Sequence, residues 1–187
     1  NVAGPLIPMT SKRMPMSRTA LYNNLLTSLT SVINTTNNKS TVGVPPCKEL
    51  VTTMADEWIR IAAPATTSNI GAGFDVFGLA LKEPYDIIEG RKIESGIVIS
   101  EVSGPGSEGI PTDPDQNSVS IAAKEVLRRC EAEFGIEIRI KKGIRPCSGI
   151  GSSGASAAGG AFLAHILCGE KLSLTEVVLC AAHAEDV

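Results

Sequence analysis

The chain has 187 residues, of which 43% are hydrophobic, enough for one well-buried domain. Its 17 basic and 20 acidic side chains give a formal charge of −3, and only 4% of the residues are aromatic. This balance argues against a nucleic-acid-binding surface, and no apolar run approaches the roughly 18 residues of a membrane span. Neither nucleic acid nor a membrane is therefore an expected partner.

The five cysteines have no CxxC spacing and are odd in number. This pattern argues against a disulfide framework and against a zinc site. It favours a reducing compartment, and a cytoplasmic location is the expectation.

Residues 1–53 differ from the rest of the chain because Ser, Thr and Asn dominate them and Glu49 is their first acidic residue. Their hydrophobic residues follow no long periodic pattern. We expect a disordered leader or a non-native extension here, with Met54 as a natural start and a domain over residues 54–187. A basic leader free of acids is also typical of an organelle transit peptide, so organelle import stays open.

Alternating apolar residues predict four strands. They lie in WIRIAA (58–63), PYDIIEG (84–90), GIVISEV (96–102) and IEIRIKK (136–142). Residues 103–117 are rich in turn formers and predict a loop.

The segment APATTSNIGAGFDVFGLAL (63–81) follows the first predicted strand and combines polar side chains with two glycines. Thr66 to Asn69 supply hydroxyl and amide groups, and Asp75 precedes the apolar residues of an expected helix at FDVFGLAL (74–81). Such a cluster is typical of a pocket for a small polar substrate. A capped turn explains the same residues, and composition does not separate the two interpretations.

Helical spacing of apolar residues predicts three helices. The first covers 118–134, with Asn117 or Ser118 as its cap, and the second covers about 152–167. The third begins at Ser173, where SLTE forms a capping box, and is predicted to continue to Val187. A chain that stops inside a helix is expected to be an amino-terminal fragment. His165 and His183, one in each of the last two helices, are expected to be packing or surface histidines.

The stretch PCSGIGSSGAS (146–156) consists almost entirely of small uncharged residues and leads into the second helix. Glycines let a ligand approach the backbone, and free N–H groups at a helix start bind anions, most naturally phosphate. A tight turn before a closely packed helix is the alternative. The loop has no Walker A lysine, and its GxGxxG does not follow a strand directly, so a Rossmann oxidoreductase is disfavoured. The flanking Lys141, Lys142 and Arg145 either attract a nucleotide or form a solvated strand end.

Two motifs in this order point to one family. PATTSNIGAGFDVFGLALKEPYD (64–86) resembles the amino-terminal signature of homoserine kinases, and PCSGIGSSGAS resembles the phosphate loop of the GHMP kinase superfamily. IPTDPDQN (110–117) is also similar to the segment before the nucleotide-side helix of homoserine kinases. The resemblance covers about residues 56–187.

The resemblance implies an α+β fold like domain 2 of ribosomal protein S5, as in the GHMP kinase amino-terminal domain, truncated here. It implies ATP-dependent phosphorylation of the side-chain hydroxyl of L-homoserine to O-phospho-L-homoserine, a step toward threonine, with Mg²⁺ as cofactor. The substrate side would be Asn69 and Asp75, and the catalytic and metal-binding residues would be Ser153 and Glu185. The ATP-binding residues would be Pro146, Cys147, Ser148, Gly149, Ile150, Gly151, Ser152, Ser153, Gly154, Ala155 and Ser156.

The sequence departs from the family pattern at Gly154, where alanine is usual, and at Ile150, where leucine is usual. Later family segments are absent, so the chain is expected to be an inactive fragment. The alternatives are another GHMP kinase, of mevalonate or shikimate type, and a non-catalytic nucleotide-binding module. The oligomeric state is open, with a homodimer as one possibility.

Overall fold

The computed structural model describes residues 51–53, 58–68, 71 and 78–185. Asn69, Asp75 and residues 1–50 lie outside the described residues. The predicted α+β class is confirmed in this part of the chain, which has five strands and three α-helices. The strands are β1 (Val51–Thr53), β2 (Ile59–Ser68), β3 (Gly78–Ile93), β4 (Ile97–Ser103) and β5 (Gly135–Lys141). The helices are α1 (Ser118–Arg129), α2 (Ser152–Leu167) and α3 (Leu174–His183).

The described strands form one sheet in the order β1-β2-β3-β5-β4. All neighbours are antiparallel except β4 and β5, which are parallel. A parallel pair needs a long crossover connection, and α1 lies within the connection between these two strands. β1 pairs with β2, although it lies just before residue 54, where the domain was predicted to begin. The exact boundary stays a prediction.

The two faces of the sheet have opposite chemistry because strand side chains alternate between them. On one face the isoleucines Ile61, Ile88 and Ile138 are fully buried in the core. On the other face, strand pairing places four charged residues in a row across four strands. The row alternates in sign as Arg60, Glu89, Arg139 and Glu101. Alternating charges pair favourably across strands, which suits a sheet face in contact with water.

The helix α2 is the centre of the core and packs against β2, β3, α1 and α3. It is apolar all round, as expected for a helix with neighbours on every side. Gly160 lets α1 pack closely against α2, because a Cβ atom at this position would lie 2.2 Å from the backbone oxygen of Val119 in α1. No helix in the described part combines the length and hydropathy that a bilayer crossing requires.

Three predicted elements differ from the structure. The first helix ends at Arg129 rather than at residue 134, because Glu131 has a left-handed backbone (φ 50°) that ends it. The third helix ends at His183 instead of continuing to Val187. Of the helix expected at residues 74–81, residues 78–81 are strand, because Gly78 to Ala80 pair with β2 and this pairing overrides the local apolar pattern. Residues 74–77 lie outside the described residues.

Candidate functional site

The small-residue loop connects the end of β5 to the start of α2. Gly149 (φ 80°) and Gly151 (φ 72°) have left-handed backbones, which glycine adopts without strain. Gly151 is the N-cap of α2, and its carbonyl accepts the first intrahelical hydrogen bond from the Ala155 N–H (2.9 Å). The N–H groups before Ala155, in the first turn of α2, have no acceptor within the helix and lie at the positive end of the helix dipole. The loop therefore presents the geometry of an anion site.

The end of β2 lies against this loop. The Thr66 N–H donates a hydrogen bond to the Ile150 carbonyl (3.0 Å), and Thr66 is buried. Gly151 lies so close to Thr66 that a Cβ atom would be 2.5 Å from the threonine Oγ1. The chain thus brings the start of the Thr66–Asp75 segment beside the phosphate-loop candidate. This contact joins residues 84 positions apart (150 − 66), and sequence reasoning did not anticipate it.

Ser153 and Glu185, the two residues predicted to act together, are in contact. The Ser153 hydroxyl donates a hydrogen bond to Glu185 Oε1. Ser153 is exposed in the first turn of α2, and Glu185 follows the end of α3. The pair therefore lies at the surface, beside the N-terminus of α2.

The chemistry of this pair suits Mg²⁺, which prefers oxygen ligands and is often held by one or two carboxylates together with substrate phosphates. One hydroxyl and one carboxylate at a phosphate-binding helix start match that pattern. They do not make a complete protein cage, and among the described residues no group of three or more His, Cys, Asp or Glu side chains is placed to hold a metal. The site fits a metal that is shared with a bound phosphate.

The other residues of the predicted ATP-binding set differ in exposure, and Pro146, Ile150, Ser152 and Gly154 are partly buried. Cys147, Ser148 and Gly149 are exposed, and Cys147 has a left-handed backbone (φ 62°). Ala155 and Ser156 are buried and face the protein interior. Contact with ATP stays a prediction for all eleven residues, and at these two buried positions the side chains face away from the surface.

A buried ion pair beneath the loop was missed by the sequence reasoning. Lys142, expected at a solvated strand end or near the nucleotide, is 3% exposed and pairs with Asp86, which is 0% exposed. Lys142 Nζ also donates a hydrogen bond to Ser156 Oγ (2.8 Å). Lys141 and Arg145, in contrast, are exposed. The available signal was weak: an aspartate inside the apolar run YDII of a predicted strand.

The outer face of the sheet holds a cavity of about 240 Å³. It is lined by residues of the charged row and by none of residues 146–156. Opposite charges in its wall already pair, as Arg60 does with Glu89 (3.6 Å). The chemistry of the loop, rather than this cavity, defines the candidate site.

Comparison with known proteins gives a family match that includes the loop of residues 146–156 and Glu185. Residues 117–187 match the family described as GHMP kinases N terminal domain. The chain is 46% identical over 129 residues to a homoserine kinase of Methanococcus maripaludis and 42% identical over 127 residues to one of Haloquadratum walsbyi. These matches cover 69% and 68% of this chain.

A solved structure is also similar. The crystal structure of homoserine kinase from Cytophaga hutchinsonii matches 72% of this chain with a TM-score of 0.66 and 32% sequence identity. The resemblance to the amino-terminal part of homoserine kinases and the predicted GHMP kinase fold are therefore confirmed. The chain spans 42% of the Methanococcus protein and 42% of the Cytophaga protein.

Proposed function

We propose that the full-length product of this gene transfers the γ-phosphoryl group of ATP to the side-chain hydroxyl of L-homoserine, giving O-phospho-L-homoserine for threonine synthesis. Residues 54–187 form its nucleotide-binding part. The observation that carries the proposal is the hydrogen bond from Thr66 to the Ile150 carbonyl, because it holds the two family motifs together in one site. The names of the relatives supply the substrate class.

The loop of residues 146–156 binds the triphosphate. Backbone N–H groups at the start of α2 point toward the anion, and the helix dipole favours negative charge there. Phosphoryl transfer depends on positioning and on neutralising charge more than on covalent chemistry. A rigid loop with little side chain lets the main chain approach the phosphate oxygens closely.

Ser153 and Glu185 are the proposed ligands of Mg²⁺. When bound, the metal supplies positive charge that neutralises the phosphate oxygens. Their existing contact keeps one hydroxyl and one carboxylate oriented together at the helix start. Ser153 thereby contributes both a side-chain oxygen and a first-turn backbone N–H.

The homoserine side is proposed to include Asn69 and Asp75, with the Asp75 carboxylate meeting the substrate ammonium group. Both residues lie outside the described part of the chain, and Thr66 to Ser68 lead directly to them. No strong general base is required in this proposal, since orientation of the hydroxyl toward the γ-phosphate carries most of the rate.

The present chain matches less than half of its relatives' length. We therefore propose that activity belongs to the full-length product and that this chain alone does not turn over. A cytoplasmic location and a homodimer remain proposals as well.

The test is a coupled ADP-release assay on the full-length product with homoserine, mevalonate and shikimate as acceptors. We expect turnover with homoserine alone. Preference for mevalonate or shikimate would replace the substrate assignment. ATP binding without turnover on any alcohol would instead favour the non-catalytic nucleotide-binding module.

A further inference from the structure

We infer that the buried Asp86–Lys142 ion pair is a positioning unit for the nucleotide site, fixing both ends of the loop that binds the phosphates. The inference rests on the proposed function, because it assumes that ATP binds at this loop. It assigns Asp86 and Lys142 an indirect role, through the backbone and through the start of α2.

The hydrogen bonds of Asp86 go to the beginning of the loop. Its Oδ1 atom accepts from the N–H groups of Gly143 (3.0 Å) and Ile144 (2.9 Å). Its Oδ2 atom pairs with the Lys142 ammonium. One carboxylate of β3 therefore fixes three consecutive residues at the point where the chain leaves β5.

The hydrogen bonds of Lys142 go to the end of the loop. Its Nζ atom donates to Ser156 Oγ (2.8 Å) and lies 3.5 Å from the Ser152 carbonyl oxygen, both in α2. The Ser152 hydroxyl in turn donates to the Ile144 carbonyl (3.1 Å). The residues between Ile144 and Ser152 thus span two points that one buried network holds together.

Stability alone does not account well for this arrangement. Two buried charges are costly to desolvate, and well-packed apolar residues often replace such a pair without loss of stability. Direct contact with ATP does not account for it either, because Lys142 is 3% exposed and its ammonium group is occupied by Asp86 and Ser156. A loop held in its binding conformation loses less entropy when a ligand orders it, and this pair supplies such a constraint.

The test compares two double substitutions in the full-length protein. Asp86→Asn with Lys142→Met removes both buried charges and the hydrogen bond from Lys142 to Ser156. Arg91→Gln with Glu137→Gln is the matched control: this partly exposed pair (2.7 Å) also joins β3 to β5, but near the start of β5 and not at the end where the loop begins. For each variant, the KM of ATP and the KM of the alcohol are measured at a temperature where every variant is folded. Tm is measured separately by thermal unfolding.

We expect the KM of ATP to rise about 10-fold in the Asp86/Lys142 variant, with the KM of the alcohol nearly unchanged. The control should leave both KM values unchanged. A merely structural pair would lower Tm in the variant without changing the KM of ATP for the folded protein, and that result would overturn the inference.

Ser156→Ala decides the question if the double variant does not fold. It keeps the ion pair and removes the hydrogen bonds of Ser156 Oγ with Lys142 (2.8 Å) and with Asp86 Oδ2 (3.4 Å), so the KM of ATP should rise about fivefold. An unchanged value in that case overturns the inference. Binding of an ATP analogue to the wild-type protein is measured first: its absence would overturn the proposed function, whereas normal binding with unaffected variants overturns the positioning role alone.

Discussion

Ser153 and Glu185 lie 32 residues apart in sequence, and the hydroxyl of one donates a hydrogen bond to the carboxylate of the other. The serine belongs to the first turn of α2, and the glutamate follows α3. The packing of α3 on α2 therefore places a carboxylate at the end of α2 that attracts anions. A carboxylate at this position repels a phosphate unless a cation lies between them, which is the physical reason to expect a metal there.

If the proposed function holds, Ser153→Ala should lower kcat of the full-length product by about 100-fold, because it would remove one charge-stabilising contact at the transferring group. Glu185→Gln should cause a loss of similar size. Steady-state ADP release measures both effects. Ser95→Ala removes an exposed hydroxyl from the turn between β3 and β4 and should leave kcat unchanged.

The double variant Ser153→Ala/Glu185→Gln tests whether the two residues act as a unit. Groups that hold one metal together show strongly non-additive effects. The double variant should therefore be little slower than either single one. Losses that multiply would show that the two side chains act independently.

The parts of the fold that depend on local pattern were predictable. Ile136, Ile138 and Ile140 occupy every second position of β5 and are all buried on one face of the sheet, as their alternation predicts. The helix α2 begins at Ser152 and ends at Leu167, as its small and apolar residues predict. The glycines of the loop and its position before a helix were enough to predict a candidate anion site, which stays a prediction.

Contacts between distant segments were not predictable in the same way. The buried Lys142 pairs with Asp86, which is 56 residues away in sequence and lies in the neighbouring strand β3. The strand at residues 78–81 depends on pairing with β2, and the early end of α1 depends on the backbone of Glu131. In each case a partner or a backbone angle overrides a local propensity.

Gly160→Ala should destabilise the protein by about 1–3 kcal/mol, because the new methyl group meets the backbone of α1 instead of a movable side chain. A Cβ atom at this position would lie 2.2 Å from the Val119 oxygen and 2.8 Å from its Cα. The gain in helix propensity is about 1 kcal/mol and does not offset the clash. Urea unfolding measures the change.

Gly109→Ala is the control for this prediction, because apart from its chain neighbours no atom of the described residues lies within 4 Å of the position of its Cβ. Its effect should stay within about 0.5 kcal/mol. Equal effects at Gly109 and Gly160 would contradict the close approach of α1 and α2.

Glu125→Gln should lower Tm at neutral pH and lose its effect in acid. Hydrogen bonds from Arg128 and from Arg129 lower the pKa of Glu125 to about 2, although burial acts in the opposite direction. A lowered pKa in the folded state means that the stabilisation is complete above about pH 4.5 and is lost as the pH falls toward 2. We expect a small difference, about 1–3 °C, since the arginine partners are partly solvated.

The measurement is Tm from pH 2 to 7 for wild type and Glu125→Gln, with Glu133→Gln as an exposed control of equal charge change. The Tm curves of the wild type and of Glu125→Gln should converge near pH 2. A difference that persists there would assign the effect to packing of the side chain and not to its charge.

His165 should make the domain less stable in mild acid. The ring is 4% exposed and its Nδ1 atom has no hydrogen-bond partner in the described part of the chain. Burial lowers the pKa of His165 below its usual 6.5, and the charge of Glu170 acts in the opposite direction. Below pH 6.5 the unfolded chain takes up a proton that the folded chain does not, so the free energy of unfolding falls by at most about 1.4 kcal/mol per pH unit.

His165→Leu removes both the titrating group and the unpaired nitrogen, so its stability at pH 7 should equal or exceed that of the wild type. The free energy of unfolding between pH 5 and 7 should vary less with pH in this variant. His183→Gln, at an exposed position on α3, is the matched control and should keep the wild-type slope. If the slope between pH 5 and 7 is the same in all three proteins, proton uptake at the buried ring does not limit the acid stability of this domain.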